Sequence, residues 1–148
     1  MNITLCGSIA FIDEMDAVRK ELEALGHGVQ MPPLAVMGGE GEMIPVKEYY
    51  ALRKAAADDH DWIWRRKEEA MRNHFDKVAG GADAILVCNY DKNGIAGYVG
   101  ANTLLEMGLA FHLRKPIYLL NAIPEVSYKE EILGMQPIVI DGDLERIV

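Results

Sequence analysis

Ala84-Ile85-Leu86-Val87-Cys88 is a run of five apolar residues with no polar alternation. A strand with one wet face alternates, and a strand covered on both faces does not. The run therefore predicts an inner strand of a parallel sheet. Gly80-Gly81 ends a helical stretch before it. After it, residues 89–101 form a loop carrying Gly94, Gly97 and Gly100, and residues 102–113 read as a helix closed by Lys115-Pro116. Residues 117–120 then form the next strand, which completes a strand–helix–strand unit.

The same punctuation organises the rest of the chain. Residues 3–6 are a first strand ending at Gly7-Ser8. Residues 11–25 are a helix with Met15, Val18, Leu22 and Leu25 at helical spacing, stopped by Gly26 and Gly28. Residues 29–31 are a second strand, ended by Pro32-Pro33. Residues 34–45, rich in Gly and Met and without a period, read as a plain connection in preference to a lid. Residues 46–79 are helical in composition, with a break at Asp58-Asp59-His60-Asp61, where short acidic side chains cap a new helix. Residues 128–135 and 138–140 give a short helix and a last strand. Right-handed crossovers turn this order into an α/β flavodoxin-like three-layer sandwich, with a five-stranded parallel sheet in the order 2-1-3-4-5. We expect one domain over residues 1–148. Ligands of such sheets bind beyond the carboxyl ends of the strands at the switch point. That places Gly7, Ser8 and Ile9, together with residues 89–106, at the expected site.

Composition narrows the function classes. Fifteen basic residues face 23 acidic ones in 148, a formal net charge of -8. That balance opposes binding to a nucleic-acid polymer or an anionic membrane, which need concentrated Lys and Arg. The chain opens without a basic leader, and no window approaches the ~20 apolar residues of a membrane span. Cys6 and Cys88 each close an apolar run and read as reduced thiols, which suits a cytoplasmic location. No Cys/His spacing predicts a metal, and no cofactor is expected.

Glu106 carries the most information. Leu104, Leu105, Met107, Gly108, Leu109, Ala110 and Phe111 surround it, and a helix apolar nearly all round is buried. A carboxylate there must be satisfied by partners or by function. One reading is a nucleophile near the helix start, aimed at an electron-poor carbon such as the anomeric carbon of a sugar. The other is a capping box, Thr103-Leu104-Leu105-Glu106, in which the carboxylate bonds back to the cap amide. Asn102 is a helix cap or a sugar contact. Asn89 and Gly100 lie in the loop at the sheet edge. His74 and Asp76, late on the long helix, are either proton donors reaching over that edge or solvated residues at a helix end. Trp62, Trp64 and Phe75 read as core or subunit-interface residues.

Cys6-Gly7-Ser8-Ile9, Ala82-Asp83-Ala84-Ile85-Leu86-Val87 and the loop leading to Leu105-Glu106-Met107-Gly108-Leu109-Ala110 resemble the nucleoside 2-deoxyribosyltransferase superfamily, which includes the deoxynucleoside 5'-monophosphate N-glycosidases. The resemblance covers residues 1 to about 121. It implies a flavodoxin-like fold and cleavage or transfer at the N-glycosidic bond of a nucleoside or nucleotide. It implies Glu106 as the nucleophile forming a glycosyl-enzyme intermediate, and a homodimer or larger homo-oligomer. The chain departs from the pattern at three places. His74, with Asp76 nearby, stands where the family has an acidic residue. Gly100 stands where it has Asp or Ser, with Asn102 able to take over the polar contact. Ala10 stands where the nucleotide-cleaving branch has Arg, so a nucleoside or other N-riboside is the safer ligand class. Three functions stay open: a glycosidic-bond enzyme, a non-catalytic nucleoside-binding module and an NADase-like ribosyl hydrolase.

Overall fold

The computed structural model describes residues 1–59 and 61–148. His60, inside the acidic stretch read as a helix junction, lies outside the described residues. Five strands, β1 (Asn2–Cys6), β2 (Gly28–Gln30), β5 (Ala84–Val87), β6 (Ile117–Leu119) and β7 (Ile138–Val139), form one sheet in the order β2-β1-β5-β6-β7. Every pairing in it is parallel. This is the α/β flavodoxin-like architecture that the hydrophobic runs predict.

The pleat sorts side chains between the two faces. Ile3, Leu5, Ala84, Leu86 and Tyr118 face α1 (Ile12–Ala24), which contributes Met15, Val18 and Leu22, and the C-terminal segment. Cys6, Ile85, Val87, Ile117 and Leu119 face the other way. They meet Val78, just before β5, Met107 and Ala110 of α4 (Ala101–His112), and Ile132 of α5 (Lys129–Gly134). Cys88 belongs to the first face and Cys6 to the second, so the two free thiols sit on opposite sides of the sheet although their strands are neighbours.

Two features depart from the reading of the sequence. Residues 34–45 are more than a connection. β3 (Ala35–Met37) and β4 (Met43–Pro45) pair antiparallel as a hairpin outside the main sheet. Val36 and Ile44 stand opposite each other and pack on Tyr49 of α2 (Val46–Ala55) and Ile63 of α3 (Asp61–Asp76). Strands of three residues are too short to display a period. Second, the end of α3 widens into a π-helical turn, Lys77–Gly81. Thr4 Oγ1 donates to the Lys77 carbonyl at 3.1 Å, and Lys115 Nζ donates to the Val78 and Ala79 carbonyls at 2.7 Å each. Those bonds satisfy carbonyls that a helix end leaves unpaired and dock α3 onto β1. No helix of the described residues is long and apolar enough to cross a membrane.

Candidate active site

The register of three elements converges on Glu106. α4 begins at Ala101 with Gly100 as its cap residue, and the Gly100 carbonyl accepts from the Leu104 amide at 2.9 Å. The helix thus starts ahead of Thr103, and the Thr103–Glu106 capping box does not form. Glu106 is 3 % exposed. Its Oε1 accepts from Asn102 Nδ2 one turn earlier at 2.9 Å, and its Oε2 has no hydrogen-bond partner. Docking of α3 by Thr4 brings His74 against the same point. His74 Nε2 is 3.8 Å from Glu106 Oε2 and 3.5 Å from Cys6 Sγ.

Burial dominates the electrostatics. It pushes the Glu106 carboxyl up to about 7, against the opposing effects of the Cys6 thiol, the Lys67 ammonium and the Asn102 amide. Burial lowers His74 to about 4, with the Lys77 charge acting the same way. Burial and Glu106 hold the Cys6 thiol well above its ordinary value. The His74–Glu106 separation is that of an ion pair, yet desolvation disfavours both charges: the imidazole stays neutral, and the carboxyl group gives up its proton near neutral pH.

Glu106 and His74 line a cavity of about 590 Å³, the size of a small-molecule site. Gly7 and Ile9 form its edge at the end of β1, and Val36, Met37 and Met43 of the hairpin form an apolar wall. Arg53, Arg66, Lys67 and Lys77 also line it, a local concentration of positive charge in an acidic chain. Arg66 is held by the Met37 carbonyl and Glu69, and Lys77 by the Met31 carbonyl. The Arg53 guanidinium lies over the Tyr49 and Tyr50 rings at 5.6 and 5.2 Å. Burial, with Arg53 nearby, lowers Lys67 to about 8, and its Nζ reaches Asn102 Oδ1 at 3.5 Å. A more open depression of about 730 Å³ lies by Tyr90, Gly94–Gly97 and Ile123. Neither Glu106 nor His74 lines it.

The expected site residues separate into two groups. Gly7, Ile9, His74, Asp76, Asn102 and Glu106 all line the cavity, with Asp76 exposed. Ser8, Asn89 and Gly100 do not. Ser8 Oγ accepts from the Ala10 amide at 3.3 Å and from Lys92 Nζ at 2.9 Å, and the same ammonium donates to Tyr50 OH at 2.8 Å. Asn89 is occupied by the protein itself. Its Nδ2 faces the Gly97, Asn121 and Ala122 carbonyls and its Oδ1 accepts from the Asn121 amide, which ties the loop after β5 to the loop after β6. Gly97, at φ +63, lies where an added Cβ would be 2.5 Å from the Ala122 carbonyl oxygen.

Cys6, Arg53, Lys67 and the hairpin are site features that the sequence reading left out. Lys67, Met71 and His74 recur at i, i+4 and i+7, one stripe of α3 that the cavity exposes. That spacing was available in the sequence as a signal. No family model, no curated protein and no solved structure matches this chain.

Proposed function

We propose that the chain cleaves or transfers the N-glycosidic bond of a nucleoside, with Glu106 as the nucleophile at C1′. The observation that carries this reading is the state of Glu106: a buried carboxylate at the carboxyl edge of the sheet, bordering a cavity, with Oε1 held by Asn102 and Oε2 without a hydrogen bond. Oε2 attacks C1′, the C1′–N bond breaks, and its electron pair leaves with the base. The base takes a proton from the Lys67 ammonium. Water or a second base then attacks C1′, frees Glu106 and returns a proton to Lys67. His74, whose Nε2 faces Cys6 and Glu106, is a positioning residue for the carboxylate. The apolar hairpin wall suits a base and the cation-lined side suits an electron-rich leaving group.

The test is incubation with a panel of deoxynucleosides, with and without an acceptor base. We expect base release or exchange, and a loss on the order of 10³-fold or more in Glu106→Ala. Release that ignores the acceptor identifies a hydrolase. Ligand binding without turnover by any member of the panel overturns the reading in favour of a binding module, which is supported by His74 standing where the resembled family has an acidic residue.

A further inference from the structure

Cys6, His74 and Glu106 come from three distant parts of the chain, and their donor atoms all lie within 4.8 Å of one another. We propose that Cys6 Sγ, His74 Nε2 and Glu106 Oε2 form a three-ligand site for a zinc-class divalent ion, whose fourth position faces the cavity. This inference concerns the three side chains alone and does not depend on the glycosidic reading.

Three observations carry it. The first is spacing. Ligands at ~2.3 Å for sulfur and ~2.0–2.2 Å for nitrogen and oxygen, set tetrahedrally, stand about 3.4–3.6 Å apart. The observed S···N and N···O separations are 3.5 and 3.8 Å. The second is unmet valence. Glu106 Oε2 and His74 Nδ1 are the buried side-chain polar atoms of the described residues without a hydrogen bond. Such atoms are costly to bury, and a cation bound by Oε2 removes that cost for Glu106. The third is charge. A divalent cation with one thiolate, one carboxylate and one neutral imidazole sums to zero, which suits a site whose residues are 0, 3 and 7 % exposed. A sulfur, a nitrogen and a carboxylate oxygen together select zinc over magnesium or calcium.

Binding displaces to solvent the Cys6 proton and any proton held on Glu106, and it engages the oxygen that the glycosidic mechanism needs. The bound ion therefore opposes that chemistry and presents a water-accessible coordination position in its place.

Cobalt(II) as a spectroscopic stand-in for zinc, added to the reduced full-length chain, tests the site. We expect one equivalent to give tetrahedral d–d bands and a thiolate-to-cobalt charge-transfer band, both bleached by one equivalent of zinc. Cys6→Ser should lose the charge-transfer band, and Cys88→Ser should keep it. Glu106→Gln, nearly isosteric and chosen to preserve the fold, should weaken cobalt binding at least tenfold. Circular dichroism of each variant verifies folding. Absence of the thiolate band at stoichiometric cobalt overturns the proposal. So does a band that survives Cys6→Ser, or Glu106→Gln binding as tightly as the parent.

Discussion

Asn102 Nδ2 lies 2.9 Å from Glu106 Oε1, while Asn102 Oδ1 faces Lys67 Nζ at 3.5 Å. One amide thus spans an ammonium and a buried carboxylate, and the two contacts fix which way it points. Asn102→Ala removes the hydrogen bond that holds Glu106 Oε1. We expect a loss of about 1–3 kcal/mol in urea unfolding, the cost of stranding a buried polar group. A variant as stable as the parent would show that water replaces the amide.

Lys67 provides a pH signature. Burial brings it from 10.5 to about 8 in the folded chain. Between those values the unfolded state holds the extra proton, so this group makes stability rise with pH from about 8 to 10.5, and below 8 the buried charge is a constant cost. Lys67→Met should flatten the profile of the urea midpoint over that window and raise the midpoint at pH 7. An identical slope in parent and variant contradicts the assignment.

Gly97→Ala tests the loop that Asn89 organises. The position combines φ +63 with a 2.5 Å approach to the Ala122 carbonyl oxygen. Strain and displacement together should destabilise the chain by roughly 2–4 kcal/mol. Thermal unfolding measures it, and a shift of less than a degree or two would place the loop elsewhere in solution.

Ile44→Ala tests the hairpin wall. Ile44 is buried against Tyr49 and Ile63, apart from both sheet cores. Truncation should cost about 2–4 kcal/mol locally. Hydrogen exchange should therefore accelerate in β3, β4 and α2 and stay unchanged in β1 and β5. Uniform acceleration across the sheet would mean that the wall and the sheet unfold as one unit.

The sheet was legible because its information is local. Residues 84–88 and 3–6 are largely apolar runs with glycine close to one end, and the order of strands and helices restricts the connections to a few. Glu106 stood out for the same reason, as one charge in an apolar helix. The capping-box alternative failed on a boundary three residues away, since Gly100 takes the cap and the helix is under way before Thr103. The partners of Glu106 could not be read locally. Cys6 and His74 are 68 positions apart, and what joins them is the docking of a π-helical turn by Thr4 and Lys115. The Asn93-Gly94 pair, at φ 54 and 73 between Lys92 and Ile95, is a tight-turn signal that holds Lys92 in place.

The hairpin and α2 rest on their own small apolar cluster, set beside the sheet and not within it. Shape on that side of the cavity is consequently set apart from the two sheet cores, and meets the site's scaffold through α3. Residues such as Met37 and Met43, exposed on the hairpin, are where ligand preference can be redrawn while the alignment of Cys6, His74 and Glu106 stays put.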